Sequence, residues 1–186
     1  LNRASQEELG AALGDHLTAR QIEAVVLSRR ETPFDSIGEL LTRELTVPDE
    51  EGQPESVEIS MEAFRRIADQ LTVTEQAILI GLVNVNTAPA EVLQALPELE
   101  PADAEAIVEA RDQSGDRSNL AWLLDVLTPE TFAACCNRLT TRSQQFRMCA
   151  RIAESDGPAR RAMAVLERDG GRCVVLEWTP WQGAAE

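Results

Sequence analysis

One short unit appears twice in this chain, and a repeat limits the available folds before any other feature is weighed. The clearer copy is Gly81-Leu-Val-Asn-Val-Asn-Thr-Ala-Pro-Ala-Glu-Val-Leu-Gln-Ala-Leu-Pro97: an apolar approach, a helix start, and a short amphipathic helix closed by proline. A degenerate copy opens the chain as Leu1-Asn-Arg-Ala-Ser-Gln-Glu-Glu-Leu9. Leu1-Asn2 matches Val85-Asn86, and Glu7 with Leu9 matches Glu91 with Leu93. Beyond the connecting turn, Ile22, Val25 and Arg29 match Ala104, Ile107 and Arg111. Further on, Ile37, Leu40 and Leu41 match Leu120, Leu123 and Leu124, the first turn being the longer by two residues.

Local signals divide the chain into four segments. In residues 1–45, Ser5 with Glu8 is a capping-box pattern that starts a helix carrying Leu9, Ala12 and Leu13. Gly14-Asp15-His16 is a turn, and Thr18 caps a helix with Ile22, Val25 and Val26 on one face. A third helix starts at Asp35 or Ser36. Residues 46–83 open with Pro48, Asp49, Glu50, Glu51, Gly52, Pro54 and Glu55, the composition of a solvated linker. A helix follows from Ser60, with Met61, Phe64, Ile67, Ala68 and Leu71 as its stripe; Ile78 to Val85 reads as extended. Residues 84–142 hold the second copy, with Thr87 as cap, Pro89 in the first turn, and Val92, Leu93 and Leu96 facing the core. Its second helix ends near Gln113-Ser-Gly-Asp116, another opens at Ser118 or Asn119, and Pro129 begins one through Phe132, Cys136 and Leu139.

Residues 143–186 change period. Phe146, Met148, Ala150 and Ile152 alternate with Arg147, Cys149, Arg151 and Ala153, which predicts a strand with one covered face. Arg160 to Arg168 and Arg172 to Trp178 read as two more strands around an Asp169-Gly170-Gly171 hairpin turn, with Val174, Leu176 and Trp178 on one face. Helices first and a small antiparallel sheet last define an α+β chain.

Charge restricts the function. Seventeen Arg, no Lys, and 32 carboxylate side chains give a formal charge of −15. Phosphate-backbone affinity comes mainly from Lys and Arg, so this balance opposes nucleic acid as the main ligand. No apolar run reaches the roughly 18 residues of a membrane span. The chain begins at Leu1, without Met and already inside the first copy, and reads as a processed or truncated soluble fragment. Cys135, Cys136, Cys149 and Cys173 lack CxxC spacing, and the single His16 lies far from all of them. They read as buried thiols, with a Cys149–Cys173 bridge the alternative if those strands pair in register. His16 has no Ser or Cys nucleophile beside it, and no residue is assigned a catalytic, cofactor-binding or metal-ligating role.

The two copies resemble the helix-hairpin-helix (SAM-like) family, on the residues matched above and on Asn86-Thr-Ala through Leu93 in particular. DNA-binding members carry a Gly-hydrophobic-Gly hairpin whose N–H groups hold a phosphate. Here that position reads Glu98-Leu99-Glu100 in copy two and Gly14-Asp15-His16 in copy one. A phosphate there would meet like charge, and Arg20, Arg29, Arg30 and Arg111 fit solvated helix faces at least as well as a clamp.

Over nearly its whole length the chain resembles the minor pseudopilin K family of type II secretion systems (general secretion pathway protein K). Ile67-Ala-Asp-Gln-Leu-Thr-Val73 and Val83-Asn-Val-Asn-Thr-Ala-Pro-Ala-Glu-Val-Leu-Gln-Ala-Leu96 carry the likeness. The resemblance implies helical repeats inserted in a pilin-like domain that ends in antiparallel strands. It also implies a non-enzymatic role at the pseudopilus tip, other minor pseudopilins as partners, and an N-terminal inner-membrane helix, absent here, holding this portion in the periplasm. Some relatives bind calcium through acidic loops; Asp49, Glu50, Glu51 and Glu55 are oxygen donors of that type, but their spacing fits a solvated linker better. Copy two lacks the aromatic that copy one supplies as Phe34, Arg117 standing near that place. The alternative is a DNA-binding receptor of the competence type.

Overall fold

A computed structural model describes residues 1–76, 79–113, 115–152, 160–169 and 171–180. The chain forms two compact units, Leu1–Thr141 and Arg142–Glu186.

In the first unit, α1 (Gln6–Leu13) and α2 (Ala19–Glu31) both open on capping boxes. Ser5 accepts from Glu8 N while Glu8 accepts from Ser5 N at 2.7 Å, and Thr18 with Gln21 repeats the exchange. Each box satisfies donors that a helix start leaves orphaned. Leu9, Leu13, Ile22, Ala24, Val25 and Val26 are buried, whereas Ala12 is exposed. The short α3 (Glu39–Thr42) starts later than expected, because the Glu39 carboxylate accepts from Asp35 N and Ser36 N and holds a turn ahead of it.

The acidic stretch is folded rather than a free linker. β1 (Leu45–Pro48) pairs antiparallel with β2 (Pro54–Val57); Asp49, Glu50 and Glu51 sit in the connecting turn and Glu55 on β2, opposite Val47. Leu45 and Val47 are buried, and β1 packs on α2, so the hairpin belongs to the core. The sequence reading missed it because carboxylates dominate the composition while only two apolar side chains alternate.

α4 (Met61–Ile67) runs on through a 3-10 turn at Ala68–Gln70. Extended backbone is expected from Ile78 to Val85; Ile78 lies outside the described residues, and the described strand here is only β3 (Val83–Asn84). It pairs in parallel with β4 (Leu139–Thr140), and Val85 N extends the pairing to Thr140 O at 3.0 Å. α5 (Ala90–Leu93) is capped at Pro89 rather than Thr87, whose N–H turns back to Asn84 O. So short a helix buries Leu93 and leaves Val92 43% exposed, against expectation. α6 (Pro101–Arg111) follows; Ser114, in its expected C-terminal turn, lies outside the described residues.

The helix expected from Asn119 is a 3-10 segment, Leu120–Asp125, that buries Ala121, Trp122 and Leu123. α7 (Pro129–Cys135) then passes through a second 3-10 turn into β4. α4 and α7 repeat each other: Ser60 and Thr128 cap them, and the Phe64 and Phe132 rings meet edge to face at 5.7 Å. α3 packs on α7 so closely that a Cβ on Gly38 would stand 2.5 Å from the Ala133 Cα. Apolar side chains from Leu9 to Leu139 thus form one core, which the two copies share with the hairpin.

The second unit is an antiparallel sheet of β5 (Gln145–Ile152), β6 (Arg160–Asp169) and β7 (Arg172–Pro180), with β6 central. Gly171 takes φ +89, the left-handed region glycine permits; Gly170 of the expected turn, and Ala153 after β5, lie outside the described residues. A bulge interrupts β7: Val165 faces Glu177 and Leu166 faces Val175, so Leu176 is skipped. Trp178 therefore shares its face with Val175, not with Val174.

Candidate functional site

The feature that could read a ligand is the pair of helical turns. Both carry a buried leucine, Leu17 in copy one and Leu99 in copy two. In copy two Glu98 pairs with Arg138 at 3.0 Å, and Glu100 N donates to Asp103 at the start of α6. The carboxylates that replace the glycines are thus partly engaged in holding the turn. In copy one His16 N bonds Leu13 O at 2.9 Å and its residue is half-buried.

The arginines behind the turns have a different place from the expected solvated faces. Arg29 reaches back to donate to Leu1 O and Ala4 O, and Arg111 donates to Val85 O and Ala88 O. The same two positions are clamped in each copy, each guanidinium meeting two carbonyls ahead of or at the first helix of its copy. The asparagines are equivalent too. Asn2 exchanges hydrogen bonds with Phe34 N and O, and Asn86 donates to Arg117 O at 2.9 Å. Arg20 pairs with Glu55 on the hairpin. Arg29 and Arg111 therefore spend their donors on backbone rather than on a phosphate, and only a contact across 23 or more residues reveals it.

The aromatic missing from copy two at the Phe34 position is supplied by Trp122. Arg43 lies over the Phe34 ring at 4.1 Å and Arg117 over the Trp122 ring at 4.6 Å. Each copy keeps a guanidinium–aromatic pair, with Arg117 at the place of Phe34 and Trp122 at the place of Glu39.

The acidic turn uses its own carboxylates. Asp49 accepts from Glu51 N and Gln53 N, and Glu55 binds Arg20. Among the described residues no three His, Cys, Asp or Glu side chains gather as a cation site. Cys149 and Cys173 are free and exposed. β6 lies between their strands, and Cys149 pairs across from Met163 while Cys173 pairs across from Arg168. Those positions fall on opposite faces, so the register that would allow a bridge is absent. Cys135 and Cys136 are buried, and burial, helped by each other's charge, pushes the Cys135 thiol up to about 12.

On the sheet, register places Phe146, Met148, Leu166, Val175 and Trp178 on one face. Phe146, Met148, Val175 and Trp178 are 44–60% exposed.

This geometry defines a duplicated helical framework, clamped by Asn and Arg side chains on backbone, with an antiparallel sheet unit after it in the chain. Residues 83–128, about three quarters of copy two, match the family model described as type II secretion system (T2SS), protein K. The match supports a role in type II protein secretion. No curated protein and no solved structure gives a significant match.

Proposed function

We propose that this chain is the periplasmic portion of a K-type minor pseudopilin, acting without catalysis through contacts with other minor pseudopilins at the pseudopilus tip. The observation that carries the reading is the family match over residues 83–128, which falls on the copy with carboxylates in its hairpin. The internal use of Arg29 and Arg111 supports a helix-hairpin-helix unit retained for packing and protein contact rather than for DNA. The apolar sheet face supports a protein-binding role, since solvated monomers seldom expose contiguous apolar surface. In this reading a membrane helix ahead of the chain anchors it to the inner membrane, and no cofactor is required.

The test is binding of the purified chain to the other minor pseudopilins of the same secretion system, by calorimetry, with a labelled DNA duplex as the second arm. A stable complex with at least one pseudopilin and no duplex binding at physiological salt is expected. Salt-sensitive duplex binding that is lost on Arg20→Ala, with no pseudopilin complex, would overturn the proposal in favour of a DNA receptor.

A further inference from the structure

The two copies differ at one position with a consequence for the surface. In copy one Arg43 covers Phe34, donates to Thr32 O and Pro33 O, and pairs with Glu39. The repeat puts Val126 at the place of Arg43 and Trp122 at the place of Glu39. Copy two has a cleft of about 550 Å³ lined by Arg65, Arg117, Asn119, Trp122, Asp125 and Val126. Trp122 is 4% exposed, and among the described residues neither its indole Nε1–H nor the buried Arg117 Nε–H has an acceptor.

The other charges of the cleft are engaged. Asp125 binds Arg65 at 2.7 Å, and Asp116 accepts from Ser118 N at 2.8 Å. Arg117 spends one Nη donor on Ala110 O, and its charge acts on the neighbouring Asp116 carboxylate without a direct ion pair among the described residues. Two buried N–H donors on neighbouring residues of the cleft wall, one of them on a cation, lack what an oxygen anion supplies. We propose that this cleft is a carboxylate-binding site, taking an Asp or Glu side chain or a chain end of a partner protein onto Arg117 and Trp122. The inference is independent of the secretion reading.

The test titrates the full chain with sodium acetate and follows the Trp122 indole and Arg117 Nε–H resonances by NMR, with sodium chloride at equal ionic strength and acetamide as controls. Acetate should shift both resonances saturably while leaving the Trp178 indole in place. Trp122→Phe keeps a ring under the guanidinium and should weaken acetate several-fold at the Arg117 resonance. Val126→Arg refills the cleft as Arg43 does and should abolish the shift while the amide spectrum stays folded. N-acetylalanine against N-acetylglutamate α-amide then separates chain end from side chain, the tighter binder naming the source. An acetate response matched by acetamide, shared by Trp178, or unchanged in Val126→Arg would overturn the site.

Discussion

Arg111 and Arg30 look alike in sequence, and their fates separate two kinds of residue. Arg30 is exposed, whereas the Arg111 side chain is 17% exposed and bonded to two carbonyls. Removing a charged donor from buried acceptors costs about 3 kcal/mol, while a solvated surface change stays within about 0.5 kcal/mol. Arg111→Ala should therefore shift the urea midpoint strongly and Arg30→Ala barely. The cysteines give a second contrast. Iodoacetamide at pH 8 should modify Cys149 and Cys173 well before Cys135 and Cys136, as read by peptide mass spectrometry, because only the first pair is exposed. The Cys135 thiol titrates at about 12 when folded against an ordinary 9.0. Below pH 9 both states hold the proton, so its contribution is fully present. Between about 9 and about 12 the unfolded chain ionises first, and stability falls by about 1.4 kcal/mol per pH unit for this thiol. A denaturation series across that window, repeated on Cys135→Ala, reads the difference.

The elements were legible where the signal is local. The box at Ser5, the cap at Thr18 and the helix starts at Ser60 and Pro129 need only neighbouring residues. Ser60→Ala and Thr128→Ala should each cost about 1 kcal/mol in chemical denaturation, since each removes the acceptor of an orphan helix N–H. The alternation of β5 was legible for the same reason, while the β7 bulge, set by pairing with β6, was not. The hairpin escaped notice until α2 and α6 are compared. Leu27 on α2 stands where α6 has Glu109, and Val26 is fully buried where Val108 is half-buried. The helix face that β1 covers is apolar, and the face with no hairpin carries charge. Clamps and cleft are long-range, so periodicity cannot reveal them; the residue exchange between Phe34 and Arg117 was the visible trace.

Across the whole molecule, charge and core divide together. Residues 1–141 hold 10 Arg against 26 carboxylates, a formal −16; residues 142–186 hold 7 Arg against 6, a formal +1. The apolar cluster from Leu9 to Leu139 lies entirely in the first unit. A fragment ending at Thr141 should therefore retain the helical circular-dichroism signal and a cooperative thermal transition, and elute later than the intact chain from an anion exchanger. Loss of the cooperative transition would mean that the helical unit depends on the sheet. The parallel pairing of Val83-Asn84 with Leu139-Thr140 brings the two ends of copy two side by side, with everything between them hanging as a closed loop. Tension entering at Val83 and leaving past Thr140 would load that ladder in shear, its hydrogen bonds strained together rather than unzipped in turn. The helices between would be bypassed by the force, so the short clasp would govern how hard a neighbour can pull before the copy opens.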